Sequence, residues 1–145
     1  MSRETAENRE EGQAVTHEPI VLEIPSRSEY ILLARLVVTQ AGQVAGFGPE
    51  DIYDLKLAIT EAVTNAIRHA RVESIKIEYL IRPREVEITV TDAGGGFDAE
   101  SLARDPNNQG GFGFAVIGNL VDEVALDSGS GGTRLTMIRR ISSSV

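Results

Sequence analysis

The 145-residue sequence predicts a two-layer α+β sandwich whose mixed, mostly antiparallel sheet is covered on one face by helices. Stretches with apolar residues at alternate positions and stretches with helical apolar spacing follow one another in the order β-α-α-β-β-loop-α-β-β. Each alternating stretch has one apolar and one polar face, which suits an antiparallel sheet wetted on one side. The helical stretches carry a single apolar stripe, so each needs a surface to pack on.

Residues 1–18 hold five acids and two bases with almost no apolar side chains, and read as a disordered tail. Residues 19–142 are then expected to form one domain. Ile20, Leu22 and Ile24 alternate with Val21, Glu23 and Pro25, a short strand closed by the proline. Ser26 and Glu29 have capping-box spacing, so Ser26 is expected to open a helix that fades at Gly42 or Gly46. Pro49 suits a first helical position, and Glu50 and Asp51 suit the positive end of the helix dipole. The second helix should run through Ile52, Leu55, Ala58, Ile59, Ala62 and Ala66 to about Ala70.

Ile75, Ile77, Tyr79 and Ile81 form one alternating set, and Val86, Ile88 and Val90 another, with residues 81–85 as a hairpin connection. Residues 93–113 have no period and are rich in Gly, Asn, Asp and Pro, which favours a functional loop or lid. Residues 114–120 can form a helix. Residues 124–126 and 133–138 then pair as a closing hairpin around residues 128–132.

Composition narrows the function. The chain is 41% hydrophobic and 25% charged, ordinary for a soluble globular protein. With no cysteine, disulfides, thiol nucleophiles and thiolate-bound zinc are excluded. His17 and His69 lie far apart, which leaves oxygen-ligated Mg2+ as the expected metal. A net charge of −8 argues against direct nucleic-acid binding, which needs basic surface. No apolar run has the length of a membrane span or the form of a signal peptide, so a cytoplasmic location with no membrane contact is expected.

Three blocks carry candidate chemistry. Glu61, Asn65 and His69, within Glu61-Ala62-Val63-Thr64-Asn65-Ala66-Ile67-Arg68-His69-Ala70, recur every four residues along one side of the second helix, opposite its apolar stripe. An Asn oxygen is a hard neutral ligand for Mg2+, and a carboxylate one turn earlier can take a proton from a nucleophile. The same spacing also describes a solvated helix face. Asp92, at a strand end before Gly94, Gly95 and Gly96, is an acceptor suited to an exocyclic amine; it also suits a simple turn. Gly110, Gly111 and Gly113, around Phe112 and ahead of Phe114, can offer amides and a helix start to phosphate, or serve as a linker. No Gly-Lys-Ser or Gly-Lys-Thr occurs, and the Gly-x-Gly-x-x-Gly pattern is not completed after Gly113.

Together and in this order, the blocks resemble the N, G1 and G2 boxes of the GHKL ATP-binding fold. The resemblance is closest to the bacterial switch kinases, small serine kinases that are also anti-sigma factors. It is carried by the Glu61–Ala66 run with His69, by Asp92-Ala93-Gly94-Gly95-Gly96, by Gly111-Phe112-Gly113 and by Gly132-Thr133, and covers about residues 20–141.

This resemblance implies Glu61 as general base and Asn65 as holder of Mg2+ on ATP. It implies Asp92 as partner of the adenine amine, helped by Thr133 through water, with Gly94 and Gly96 flanking the base. Amides from Gly110 to Phe114 would meet the phosphates, and Arg35 falls where the family uses an arginine in partner contacts. The implied reaction is phosphorylation of a serine or threonine on a STAS-domain anti-anti-sigma protein, with sequestration of a sigma factor by a homodimer. Residues 97–110 are shorter than the lid of the best-known members. Arg104 is their only basic residue, so it is the lid candidate for a γ-phosphate contact, which Arg68 or Arg71 could supplement.

Two rivals share the boxes. A stand-alone histidine-kinase-like catalytic domain would need a dimerisation helix with a phosphoacceptor histidine, for which the residues before Ile20 give no helical pattern. An ATP-binding regulatory module without kinase turnover would have no need of Glu61.

Overall fold

The structure, a computed structural model, describes residues 18–70, 72–92, 109–129 and 132–141, with the backbone alone at residues 70 and 109–113. Of the tail expected over residues 1–18, residues 1–17 lie outside them, as do Arg71, Gly94, Gly96 and Arg104. In chain order the elements are β1 (Ile20–Pro25), α1 (Ile31–Ala45), α2 (Pro49–Ala70), β2 (Ser74–Arg82), β3 (Glu85–Asp92), α3 (Gln109–Leu120), β4 (Glu123–Gly129) and β5 (Gly132–Arg140). This is the expected order.

Among the described residues the five strands form one sheet in the order β1-β2-β3-β5-β4. All four pairings are antiparallel, where a mixed sheet was expected. The chain leaves β3, passes through α3 to the far edge as β4, and returns as β5 into the gap beside β3. Asp92 and Thr133 thereby become direct cross-strand neighbours.

The entry into α1 departs from the sequence expectation. The Ser26 amide donates to the Glu73 carbonyl at 2.9 Å, directly beyond the Pro25–Ser74 pair, so Ser26 prolongs the strand. A 3-10 turn over Ser28–Tyr30 follows, capped by Arg27 in extended conformation without a side-chain bond. Glu29 pairs with Arg27 at 3.0 Å instead of closing a capping box. Strand pairing outcompetes the cap. At the other end Gly46, at φ 93°, closes α1 in the left-handed region where glycine carries no Cβ penalty. Gly42 stays inside the helix: a Cβ there would sit 2.8 Å from Ile52 Cγ1, so its missing side chain lets α1 and α2 approach.

Three further boundaries differ. Ile81 and Arg82 pair with Val86 and Glu85, which shortens the expected connection to Pro83 and Arg84. Helix α3 begins at Gln109, so Gly110, Gly111 and Gly113 lie in its first turns and not in a preceding loop. Ser128 and Gly129 belong to β4, because the β4–β5 ladder continues to the Gly129–Gly132 pair.

The core lies between the helices and the inner sheet face. Val38, Leu55, Ile59 and Val63 from the helices meet Ile75, Ile77, Ile88 and Met137 from the strands, all buried. Tyr79 is buried with them, and its hydroxyl donates to the Ala34 carbonyl at 3.0 Å. Burial raises its pKa, so the phenol keeps its proton at any physiological pH.

Candidate functional site

A cleft opens where α2, α3 and the ends of β3, β4 and β5 converge. Among the described residues it is lined by Ala62, Asn65, Ala66, Val90, Asp92, Phe114, Leu126, Thr133 and Leu135. Six of these are apolar and three are polar, the make-up of a small-molecule site with a few orienting groups. Asp92 is the only charged side chain among them.

Each polar group is held by regular structure. Asp92, 2% exposed, is the last residue of β3, and its register partner Thr133, 4% exposed, is the second residue of β5. Thr133 Oγ1 lies 3.2 Å from Ser128 Oγ on β4, so a row of oxygens crosses three strands. Period-two alternation turns both side chains inward, with Val90 and Leu135 two positions away on the same face.

Asn65, 5% exposed, approaches from α2. It was expected opposite the apolar stripe; instead it lies beside Ala62 and Ala66, because a residue three positions after Ala62 is its neighbour on the helix surface. Its burial rules out the merely solvated face that the sequence left open. Methyl side chains at Ala62 and Ala66 keep the helix wall flat enough for the cleft to exist.

The other sequence candidates are placed differently. Glu61 and His69 are partly buried on α2 and Arg68 is exposed, and none of the three lines the cleft. Burial first, and the Arg68 guanidinium second, lower the His69 pKa from its ordinary 6.5. Gly110, Gly111, Phe112 and Gly113 lead into Phe114, which does line the cleft. Arg35 sits on α1, away from the cleft, partly buried and with its Nε buried without a hydrogen-bond partner among the described residues. Sequence reasoning missed Val90, Leu126 and Leu135. A two-residue step from Asp92 and Thr133 along each strand would have found two of them.

The arrangement can accept a planar, partly apolar group between Phe114 and the strand side chains, with Asp92 as hydrogen-bond acceptor. Among the described residues no three His, Asp or Glu side chains are placed to hold a metal. A divalent ion at Asn65 would therefore need most of its oxygen ligands from a bound phosphate ester, as Mg2+ does in nucleotide sites.

Comparison with known proteins agrees with this geometry. Residues 24–139 match the family described as the histidine kinase-like ATPase domain. The serine-protein kinase RsbW of Listeria monocytogenes serovar 1/2a is 35% identical over 128 residues, covering 78% of this chain and 82% of that protein. RsbW of Staphylococcus aureus strain JH9 is 35% identical over 130 residues, covering 79% and 82%. Among solved structures, the RsbU and RsbW domains of Rv1364c from Mycobacterium tuberculosis superpose with a TM-score of 0.68 at 22% identity. That match covers 89% of this chain and 34% of the larger one. The histidine kinase domain of Erythrobacter litoralis EL346 superposes with a TM-score of 0.53 at 20% identity, covering 81% and 62%. At such identities the solved structures speak to the fold alone. From the family match and the close relatives together, the chain belongs to the histidine kinase-like ATPase family, among the RsbW-type serine-protein kinases.

Proposed function

We propose that the chain is an ATP-dependent serine/threonine-protein kinase and anti-sigma factor, which phosphorylates a STAS-domain anti-anti-sigma protein and sequesters a sigma factor. The observation that carries this reading is the convergence of Asn65, Asp92 and Thr133 on one apolar-walled cleft. The identity to RsbW kinases over most of the chain supports it.

Mg-ATP supplies the phosphoryl group and the cation that offsets its charge. Asp92 accepts a hydrogen bond from the adenine amine, with Thr133 beside it, and Gly94 and Gly96 let the base approach the backbone. Asn65 offers its amide oxygen to Mg2+. Amides from Gly110 to Phe114 receive the phosphates, with Arg104, Arg68 and His69 at the polyphosphate end. Glu61, one turn before Asn65, takes the proton of the attacking serine or threonine hydroxyl.

Partner contacts fall to α1. Leu32, Leu33 and Leu36 are exposed there around Arg35, whose guanidinium can pair with an acid of a partner protein. The β1 edge, with exposed Ile20 and Val21, and the α1 face together offer a self-complementary surface for a homodimer.

A second reading, an ATP-binding module without turnover, draws on one observation: Glu61 does not line the cleft. The variant Glu61→Ala separates the two. With Mg-ATP and a STAS substrate it should lose on the order of 10²- to 10⁴-fold in phosphate transfer, the usual worth of a general base, while keeping ATP affinity. Unchanged transfer would sink Glu61 as the base and the mechanism with it.

A further inference from the structure

At the end of the sheet opposite the cleft, Arg139 ties three elements together. Its side chain is 14% exposed. Nη2 pairs with Asp51 in the first turn of α2 and lies 3.1 Å from Asp54 Oδ2. Nη1 donates to the carbonyl of Leu120, the last residue of α3, at 2.7 Å. One guanidinium fork thus spans the start of α2 and the end of α3 from its seat on β5.

Helix α3 needs such an anchor. Four of its twelve residues are glycine, which disfavours a helix through the entropy of the unfolded chain. Among its described side chains Ile117 is fully buried, and Phe114 and Leu120 are partly buried against the core. Backbone bonds from Val121 and Asp122 carry the chain on into β4. Arg139 adds a polar tie between the end of α3 and the start of α2. A cation on the last carbonyl of a helix also lies at the negative end of its dipole.

The other end of α3 is where function lies. Its first turns carry the glycine amides, and Phe114 lines the cleft facing Asn65 and Ala66 of α2. A twelve-residue helix is about 18 Å long, so a small tilt at Leu120 displaces the amide end by a multiple of the tilt at its anchor. We infer that Arg139 is a positioning residue for nucleotide binding, holding α3 at the angle to α2 at which its amide end and Phe114 meet the ligand. The inference rests on the ATP reading of the cleft.

The two functions of the fork can be separated by Arg139→Lys. An ammonium keeps the charge near Asp51 and Asp54, but as a point charge it lacks the second arm that reaches Leu120. Arg139→Met removes both and serves as the severe case. Amide hydrogen exchange on the full chain without nucleotide reads the anchor. Titration with a fluorescent ATP analogue and Mg2+, with steady-state kinetics, reads the site. For Arg139→Lys we expect faster exchange across residues 114–120, a five- to tenfold rise in Kd and KM for ATP, and kcat within about twofold of wild type. A staple that serves stability alone would lower the melting temperature and leave affinity below the melting range unchanged. Unchanged exchange in α3, or faster exchange with wild-type affinity, overturns the inference. Failure of the wild-type chain to bind the analogue overturns the ATP reading itself, and the wild-type titration alone identifies that case.

Discussion

The two ends of the sandwich bury polar groups in opposite ways. Around the cleft, Asn65, Asp92 and Thr133 are each nearly inaccessible, and they lie among six apolar side chains. At the far end Arg139 gathers Asp51, Asp54 and the Leu120 carbonyl into one compact cluster. The helix α2 and the strand β5 run through both regions, so the contrast is one of chemistry and not of secondary structure. A buried charge is tolerable when groups of the same chain surround it, and such a cluster is complete without help. A buried acid beside an apolar cleft instead suits a ligand that brings a hydrogen-bond donor. Stability should therefore be concentrated at the Arg139 end and ligand recognition at the Asp92 end.

The largest effect expected from that division is on stability. Asp51→Ala should remove one carboxylate partner of the Arg139 guanidinium and an acid from the first turn of α2. Breaking a nearly buried pair of this kind costs about 3 kcal/mol. Urea unfolding of the variant measures it; a loss no larger than that of an exposed ion pair would erase the contrast between the two ends.

The next effect belongs to the cleft. Asp92→Asn keeps the shape of the side chain and removes its charge, which would weaken the proposed charge-assisted hydrogen bond to the adenine amine. A loss of about 2 kcal/mol in ATP binding is expected, on the order of thirtyfold in Kd. Urea unfolding of the same variant should show little change, because an amide is easier to bury than a carboxylate. If Asp92→Asn instead destabilises the folded chain markedly and spares binding, the roles of the two ends are reversed.

Much of this was legible in the sequence, for identifiable reasons. The α2 start followed from Pro49, Glu50 and Asp51, and Asp92 was placed at its strand end by the alternation of Val86, Ile88 and Val90. Neighbours in three dimensions were harder. The Asp92–Thr133 pair, which only the family resemblance implied, depends on β5 inserting between β3 and β4, and local periodicity carries no information on strand order. Arg139 was invisible for the same reason: its partners lie 88 residues away in Asp51 and 19 away in Leu120. The Ser26–Glu29 cap failed because a backbone bond to Glu73, distant in sequence, claimed the Ser26 amide. These misses are long-range contacts overriding a local preference.

The smallest effect is a pH dependence that separates the two ends of α2. His69 lies near the cleft end, and burial followed by repulsion from Arg68 lowers its folded-state pKa below the ordinary 6.5. The unfolded chain therefore binds this proton more readily than the folded one, so stability rises with pH through the interval between the two values. The contribution is full above about pH 6.5, the unfolded pKa, and is lost as pH falls through the folded pKa. Melting curves from pH 7.5 to pH 5 should show a decline that His69→Gln reduces, since glutamine has no proton to gain. The Arg139 end should not share this slope from a histidine, because its partners among the described residues include Asp51, Asp54 and the Leu120 carbonyl and no described histidine. An identical decline in wild type and His69→Gln would move the acid sensitivity elsewhere, to the carboxylates that hold Arg139.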